Sequence, residues 1–202
     1  MRLLDTDPTP PDDTTTSHEP SLLLQRELVK SRTVLVYGEV TTELAHRISA
    51  ELLALAARGD DPIRVLVHSQ GGHVEAGDTI HDVIRFIRPE VVMIGTGWVA
   101  SAGALIYCAA EKKNRLALPN TRFLLHQPFG GMRGRADDVE IEAEQILRMR
   151  DRLNRIFSAA TGQPVERIVA DTERNHWLGA EEARAYGLVD RIVEDARDAG
   201  PV

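Results

Sequence analysis

Apolar and polar positions follow two different periods along the chain beyond its first twenty residues. Runs rich in β-branched residues at 33–37, 63–67 and 91–94 have the composition of strands. Leucine, isoleucine and valine recur at spacings of three and four over 42–57 and 76–87, which predicts amphipathic helices. Strands that alternate with helices indicate an α/β fold with a mostly parallel sheet.

The second half of the chain continues this pattern with shorter strands and one long helix. Short apolar runs at 115–118 and 122–125 predict strands on either side of a Pro-Asn pair. An apolar stripe predicts a helix over 137–160, with acids near its start and arginines near its end, as the helix dipole favours. Two shorter helices and a strand over 188–193 complete the prediction.

The two ends of the chain differ in composition from the middle. Residues 1–20 contain four prolines, four aspartates and a threonine run, so we expect a flexible leader there. We expect a single domain over 21–195 and a flexible tail over 196–202. The leader lacks the apolar segment of a signal peptide, and the expected location is therefore cytoplasmic.

Composition excludes several classes of protein. The 202 residues carry a formal net charge of −7, which argues against a general nucleic-acid binder. Cys108 is the only cysteine, so an internal disulfide and a cysteine-based zinc site are excluded, and no histidine set has metal-ligand spacing. Residues 91–110 carry no charge and are long enough to span a bilayer, but their glycines favour a strand, a turn and a buried helix instead.

Three candidate functional segments follow predicted strands. Ser101 lies between small residues at a strand-to-helix transition, where free N–H groups favour a developing oxyanion. His126 ends an apolar strand, and Gly71-Gly72 follows another. Each segment also has a simpler explanation, as a helix cap, a structural histidine and a tight turn. Their joint occurrence matters, because the carboxyl ends of parallel strands lie at one edge of a sheet.

Motifs along residues 25–193 resemble one known family, the Clp protease proteolytic subunits, which are self-compartmentalising serine peptidases. The resemblance implies a crotonase/Clp-protease-like fold of repeated β-β-α units, with a protruding handle of a strand and a long helix over about 127–160. The matching motifs, in chain order, are Ser69-Gln70-Gly71-Gly72, Ile84-Arg85-Phe86-Ile87-Arg88-Pro89, Ala100-Ser101-Ala102-Gly103-Ala104, Leu118-Pro119-Asn120, His126-Gln127-Pro128, Gly130-Gly131, Thr161-Gly162-Gln163, Asp171-Thr172-Glu173-Arg174 and Tyr186-Gly187-Leu188-Val189-Asp190.

The resemblance implies a role for each matching site residue. Ser101 resembles the nucleophile and His126 the general base, with the backbone N–H groups of Gly72 and Ala102 as the oxyanion hole. Gly130 and Gly131 resemble the strand along which an extended substrate lies. No cofactor is implied for hydrolysis.

The third catalytic position departs from the family pattern. The family's aspartate falls on Asn175, which lies 49 residues after His126. An asparagine can orient the imidazole but brings no negative charge, and the same exchange in a trypsin-type enzyme costs roughly 10⁴ in kcat. We therefore expect an attenuated peptidase; the alternative is a structural ring subunit with little catalysis. Arg174 resembles the residue that couples ring-to-ring contacts to the site.

The resemblance also implies partners. The expected assembly is two stacked heptameric rings, homomeric or mixed with Clp paralogues, that degrade unfolded polypeptides delivered by a hexameric ATPase unfoldase, with no nucleic acid and no membrane. Phe86 persists at the expected docking surface, whereas Leu66, Arg64 and Ala54 stand at or near positions where aromatics are expected, which disfavours that docking. Trp98 is a further departure, close before Ser101. A crotonase-type acyl-CoA enzyme is a third, less favoured hypothesis.

Overall fold

The computed structural model describes residues 22–128 and 135–200, which fold as strands and helices in alternation. In chain order the elements are α1 Leu22–Lys30, β1 Thr33–Val40, α2 Thr42–Ala56, β2 Ile63–Gly72, α3 Val74–Phe86, β3 Val91–Ala100, α4 Ala102–Tyr107, a 3-10 helix Lys112–Asn114, β4 Arg115–Ala117, β5 Arg122–Leu125, α5 Ala136–Thr161, α6 Val165–Thr172, β6 His176–Gly179, α7 Ala180–Tyr186, β7 Arg191–Ile192 and a 3-10 helix Ala196–Ala199.

The described strands form one sheet with a branch at β3. The main path runs β1-β2-β3-β4-β7, and every neighbouring pair in it is parallel. The carboxyl-terminal part of β3, residues 98–100, also pairs in parallel with β5, and β5 in turn pairs antiparallel with β6. The predicted α/β class with a mostly parallel sheet is confirmed.

Helix α2 follows β1 and helix α3 follows β2, and each of the two helices buries one face. On α2, Leu44, Ile48, Leu52 and Leu55 are buried, as their spacing predicts. Thr41 caps this helix, because its side chain accepts a hydrogen bond of 3.2 Å from the N–H of Leu44. Together with alternate residues of β1 and β2, these side chains form the main apolar core.

Strands β2 and β3 extend further than predicted. They reach Gly72 and Ala100 instead of ending near 67 and 94, and each passes through glycines with positive φ. The ladder between them shifts register between Val67 and Ser69, so pairing resumes after the irregularity. Glycine tolerates such backbone angles, and the chain therefore continues as strand where a turn was expected.

The uncharged stretch 91–110 forms β3 and the short buried helix α4. Within the two described ranges, no helix combines the length and apolar content needed to cross a bilayer. Gly95 and Gly97 lie within β3 and Gly103 lies within α4, and the two elements meet at Ser101.

The fold continues past residue 195, which is the predicted end of the domain. Ala196–Ala199 form a 3-10 helix, and buried Ala199 packs in a second apolar cluster with Ile94, Leu116 and Val193. Arg64 Nη2 donates a hydrogen bond of 3.2 Å to the carbonyl of Gly200. The expected leader, 1–20, lies outside the described residues.

Helix α5 is a continuous helix of 26 residues that leaves the body of the domain. Asp137 and Asp138 lie in its first turn, and Gly162, with φ 77°, ends it in the left-handed conformation that glycine favours. Its last turns pack against α6 and contribute Leu153 and Phe157 to the core. The long helix predicted over 137–160 is thus observed, with bounds one residue beyond each predicted end.

Candidate active site

The predicted candidate residues meet at one edge of the sheet. Strands β2, β3 and β5 are parallel neighbours, so their carboxyl ends lie together. Gly72 ends β2, Ser101 follows β3 and His126 follows β5. A methyl group built on Gly71 would lie 2.5 Å from Ser101 Cβ, so the two strand ends are in close contact.

Ser101 has an unusual backbone conformation between β3 and α4, with φ 56° and ψ −121°. A positive φ is costly for a serine and persists only where the surroundings impose it. Its N–H donates to the carbonyl of Leu124 at 2.9 Å, and its own carbonyl accepts from Ala104 and Leu105 at 2.9 and 3.1 Å. Ser101 occupies the N-cap position of α4, but its hydroxyl makes no capping hydrogen bond to that helix.

Ser101 and His126 line the same small pocket. Its other walls are mainly apolar and come from α3, α4 and α5, which bring in Val74, Leu105 and Phe157. An apolar wall on one side of a hydroxyl and an imidazole limits the access of water to both.

The two amides predicted for an oxyanion hole flank Ser101. The N–H of Gly71 donates to Ser69 Oγ at 3.0 Å, so this N–H group is engaged within β2. The next N–H group along the chain is that of Gly72. Gly72 has no room for a side chain, because a methyl group there would collide with the backbone of Val40. Ala102 is the first residue of α4, where helix N–H groups lack intrahelical partners.

Asn175 reaches the site through the antiparallel pair β5 and β6. Leu125 pairs with His176 at the end of the ladder, and His126 and Asn175 are the residues that directly flank this last pair. Residues opposite each other in an antiparallel pair project to the same face of the sheet. The N–H of Gln127 donates to the carbonyl of Thr172 at 3.1 Å and continues the connection beyond the strands. His126 and Asn175 also line a common surface pocket.

The charge state of His126 suits a proton acceptor. Burial lowers the pKa of His126 below its usual value of 6.5. Its imidazole is therefore mostly neutral at pH 7, with one ring nitrogen able to accept a proton. Asn175 is exposed and uncharged, and its side-chain amide has one oxygen that can accept and one nitrogen that can donate a hydrogen bond.

The remaining predicted positions are placed as follows. Arg174 is exposed next to Asn175 and lines the same surface pocket. Gly130 and Gly131 lie outside the described residues. Cys108 is buried, and burial raises the pKa of its thiol to about 11, which makes it a poor nucleophile. Within 22–128 and 135–200, no three His, Cys, Asp or Glu side chains are close enough to hold a metal ion.

Some features of the site were not identified from the sequence. Ser69 fixes the end of β2 through its hydrogen bond to Gly71, and it is fully buried. Trp177, on β6 two residues after Asn175, contacts Trp98 edge to face with ring centroids 5.9 Å apart. A lone tryptophan in a short predicted segment suggests a core position. In the structure both rings are partly exposed, and Trp177 lies on a strand that pairs with β5.

Comparison with known proteins gives consistent matches over nearly the whole chain. The family model described as Clp protease matches residues 17–196. The ATP-dependent Clp protease proteolytic subunit 3 of Rhizobium meliloti (strain 1021) is 64% identical over 169 residues, which are 84% of this chain and 87% of the relative. The ATP-dependent Clp protease proteolytic subunit 2 of Pseudomonas aeruginosa is 56% identical over 175 residues, 87% of each.

Solved structures match equally well. ClpP1 from Listeria monocytogenes is 52% identical, with a TM-score of 0.80 over 88% of this chain and 99% of that one. A mutant of the same ClpP1 with aspartate in place of one asparagine gives a TM-score of 0.82 with the same identity and coverage.

Proposed function

The chain belongs to the Clp protease family and has the fold of its proteolytic subunits, and we propose that it is a serine endopeptidase that cleaves unfolded polypeptides. The observation that carries this proposal is the pocket that Ser101 and His126 line together, at the ends of neighbouring strands. Geometry of this kind, and not the fold alone, supports an assignment of activity.

The proposed reaction is acyl transfer through Ser101. His126 takes the hydroxyl proton as the Ser101 oxygen attacks the peptide carbonyl, and the N–H groups of Gly72 and Ala102 stabilise the oxyanion. His126 then gives that proton to the leaving amine, and the peptide C–N bond breaks to leave an acyl ester on Ser101. A water molecule, deprotonated by His126, hydrolyses the ester and restores the serine.

Asn175 orients His126 in this proposal. Its amide oxygen accepts a hydrogen bond from one ring N–H, so the other nitrogen faces Ser101 as an acceptor. An amide lacks the charge that stabilises the imidazolium formed during attack, and we expect slower turnover than with a carboxylate. Asp171 does not supply that charge in the described structure, because it accepts a hydrogen bond of 2.7 Å from Tyr186 and faces Arg167.

A second candidate function is that of a ring subunit with little catalysis of its own. The neutral Asn175 beside His126 favours it. The strained backbone of Ser101 favours the peptidase, because a purely structural subunit needs no such conformation.

The proposal extends to the assembly. Heptameric rings stacked in pairs, homomeric or mixed with paralogues, would enclose the site in the cytoplasm, with Gly130 and Gly131 presenting backbone groups to an extended substrate and Arg174 coupling the rings to the site. Phe86 is 80% exposed and would take part in the docking of an ATPase partner, while Arg64 is partly engaged by Gly200.

The test is cleavage of a fluorogenic peptide by the full chain, alone and mixed with a Clp paralogue, with the native mass measured in each case. We expect activity in fractions with the mass of assembled rings, and its loss by more than 100-fold in Ser101→Ala. Equal activity in Ser101→Ala would overturn the peptidase proposal, and so would assembled rings of this chain without activity. Turnover of an acyl-CoA thioester instead would favour the crotonase-type hypothesis.

A further inference from the structure

An exposed aromatic cluster lies beside the candidate site, on Trp98, Arg122 and Trp177. The indoles of Trp98 and Trp177 meet edge to face at 5.9 Å, and the Arg122 guanidinium lies 4.5 Å from the ring centroid of Trp177. Trp98 is 46% exposed and Trp177 36% exposed, so both rings keep free surface. We call these three side chains the indole platform.

The indole platform shares a sheet face with the proposed catalytic residues. Along β5, Arg122 and Leu124 alternate with Phe123, and His126 continues their face. On β6, Trp177 occupies the same face as Asn175, because the two are separated by one residue. Cross-strand pairing aligns Leu124 with Trp177, and His126 and Asn175 each lie two residues further toward the candidate site, so the platform borders the site along this face.

Spacing along the strands sets the distance between platform and site. At about 3.3 Å per residue, the row of Trp177 lies ~7 Å from His126 and the row of Trp98 and Arg122 ~13 Å away. An extended polypeptide has the same rise per residue. A substrate held at Ser101 that follows this face therefore presents the side chains two to four residues from the scissile bond to the indole platform.

The chemistry of the platform selects for aromatic side chains. Two indoles at right angles provide a face and an edge, the two geometries in which aromatic rings associate favourably. Among the described residues, Arg122 has no carboxylate within ion-pair distance and no hydrogen-bond acceptor, so its N–H groups remain available to a substrate carbonyl. Stacking on an aromatic ring is also a way to bind unfolded chains without reading a fixed sequence.

We infer that the indole platform is a substrate subsite, which takes an aromatic side chain two to four residues from the bond that Ser101 cleaves. The inference rests on the proposed peptidase function and deepens it. Trp98, Arg122 and Trp177 are specificity-determining residues in this scheme, and none of them touches the reacting atoms.

Cleavage kinetics test the inference in assembled rings of the full chain. Fluorogenic peptides that differ only in Phe or Ala at each of the second to fourth positions on either side of the scissile bond are compared by kcat/KM. We expect Phe to raise kcat/KM about tenfold at one or more of these positions, mainly through KM. In Trp177→Ala the ratio should fall to within about twofold of unity, and Trp177→Phe should restore most of it. Tyr37→Ala, which removes an aromatic side chain of similar exposure on β1, should leave the ratio unchanged.

Intrinsic fluorescence provides a readout that is independent of cleavage. Trp98 and Trp177 are the only tryptophans of the chain, so emission reports on the platform alone. In assembled Ser101→Ala rings, the Phe peptide should change the emission in a saturable way, and the Ala peptide should need about tenfold higher concentration. Absence of cleavage with this signal intact would refute the peptidase proposal and leave the indole platform as a binding site for aromatic peptides only. Cleavage with equal Phe and Ala kinetics, or an emission change that follows ring assembly but not peptide, would overturn the subsite.

Discussion

Replacement of Asn175 by aspartate should raise the activity, because it places a negative charge opposite His126. One further step of the β5–β6 ladder beyond Leu125 and His176 would set the two Cα atoms about 5 Å apart, and the charges of a carboxylate and an imidazolium would lie at a similar distance. Coulomb's law at an effective dielectric of ~20 gives about 3 kcal/mol for that distance. Asn175 is exposed and His126 is half-buried, so solvent screening reduces this to about 1.4 kcal/mol, or one pKa unit.

The consequences for the rate and for its pH dependence follow from that energy. Transition-state stabilisation of about 1.4 kcal/mol gives a tenfold gain in kcat, and the trypsin-type comparison sets an upper bound of roughly 10⁴. The pKa of His126, which burial lowers in the native protein, should rise by about one unit in Asn175→Asp. The acidic limb of the pH–rate profile should therefore move to higher pH while the plateau rises.

The assay is peptide cleavage from pH 5 to 9 by assembled rings, with Asn120→Asp as the matched control. Asn120 is exposed at the opposite end of β5, so the control adds the same charge away from the site. A plateau that stays the same in Asn175→Asp, with ring assembly intact, would refute the assigned role of Asn175. A gain of equal size in Asn120→Asp would attribute the effect to net charge.

Four further predictions follow from the geometry. Gly71→Ala should reduce cleavage by more than 100-fold, because its methyl group would lie 2.5 Å from Ser101 Cβ; Gly59→Ala, which meets open space, is the activity control. In the native chain the acidic limb of kcat/KM should have its midpoint below pH 6.5, because burial lowers the pKa of His126 and the neutral base persists to lower pH; a midpoint above 6.5 would exclude His126 as the base. Cys108, with a thiol pKa of about 11, should resist iodoacetamide at pH 8 in the folded chain and react in urea, as mass spectrometry would show. Gly187→Ala should lower the unfolding free energy by about 2 kcal/mol, since its methyl group would collide with the Thr161 carbonyl, whereas Gly162→Ala, with open space at a similar φ, should cost about 1 kcal/mol in the same denaturant titration.

The sequence predicts the helices and strands well where one face is buried and poorly where glycines bend the backbone. The apolar spacing of α2 corresponds to its buried face, and β5 has the predicted bounds, Arg122–Leu125. The carboxyl ends of β2 and β3 were placed too early, because glycine usually ends a strand and here continues it at positive φ. The 3-10 helix at 196–199 has no clear sequence pattern, since contacts with distant residues such as Ile94 and Leu116 hold Ala199 in place.

The candidate site, too, contains residues that the sequence predicts and features that it does not predict. Ser101 and His126 follow from strand ends and motifs, and Asn175 follows from the family spacing alone. The positive φ of Ser101 has no local signal, because it depends on the hydrogen bond from its N–H to Leu124 on a neighbouring strand. The contact between Trp177 and Trp98 can be recognised only from the pairing of β6 with β5, which sets the two side chains beside each other. Long-range strand pairing is the information that a local pattern lacks.

The central claim is that His126 activates Ser101 as a nucleophile. Its most direct measurement is the rate of covalent labelling by a fluorophosphonate probe, followed by intact mass from pH 5 to 9 in assembled rings. We expect one adduct per chain on Ser101, formed at a rate that rises through a pKa below 6.5 and falls at least 100-fold in His126→Ala. Labelling of Ser101→Ala at the native rate, labelling that His126→Ala leaves unchanged, or no adduct in assembled rings would contradict the account.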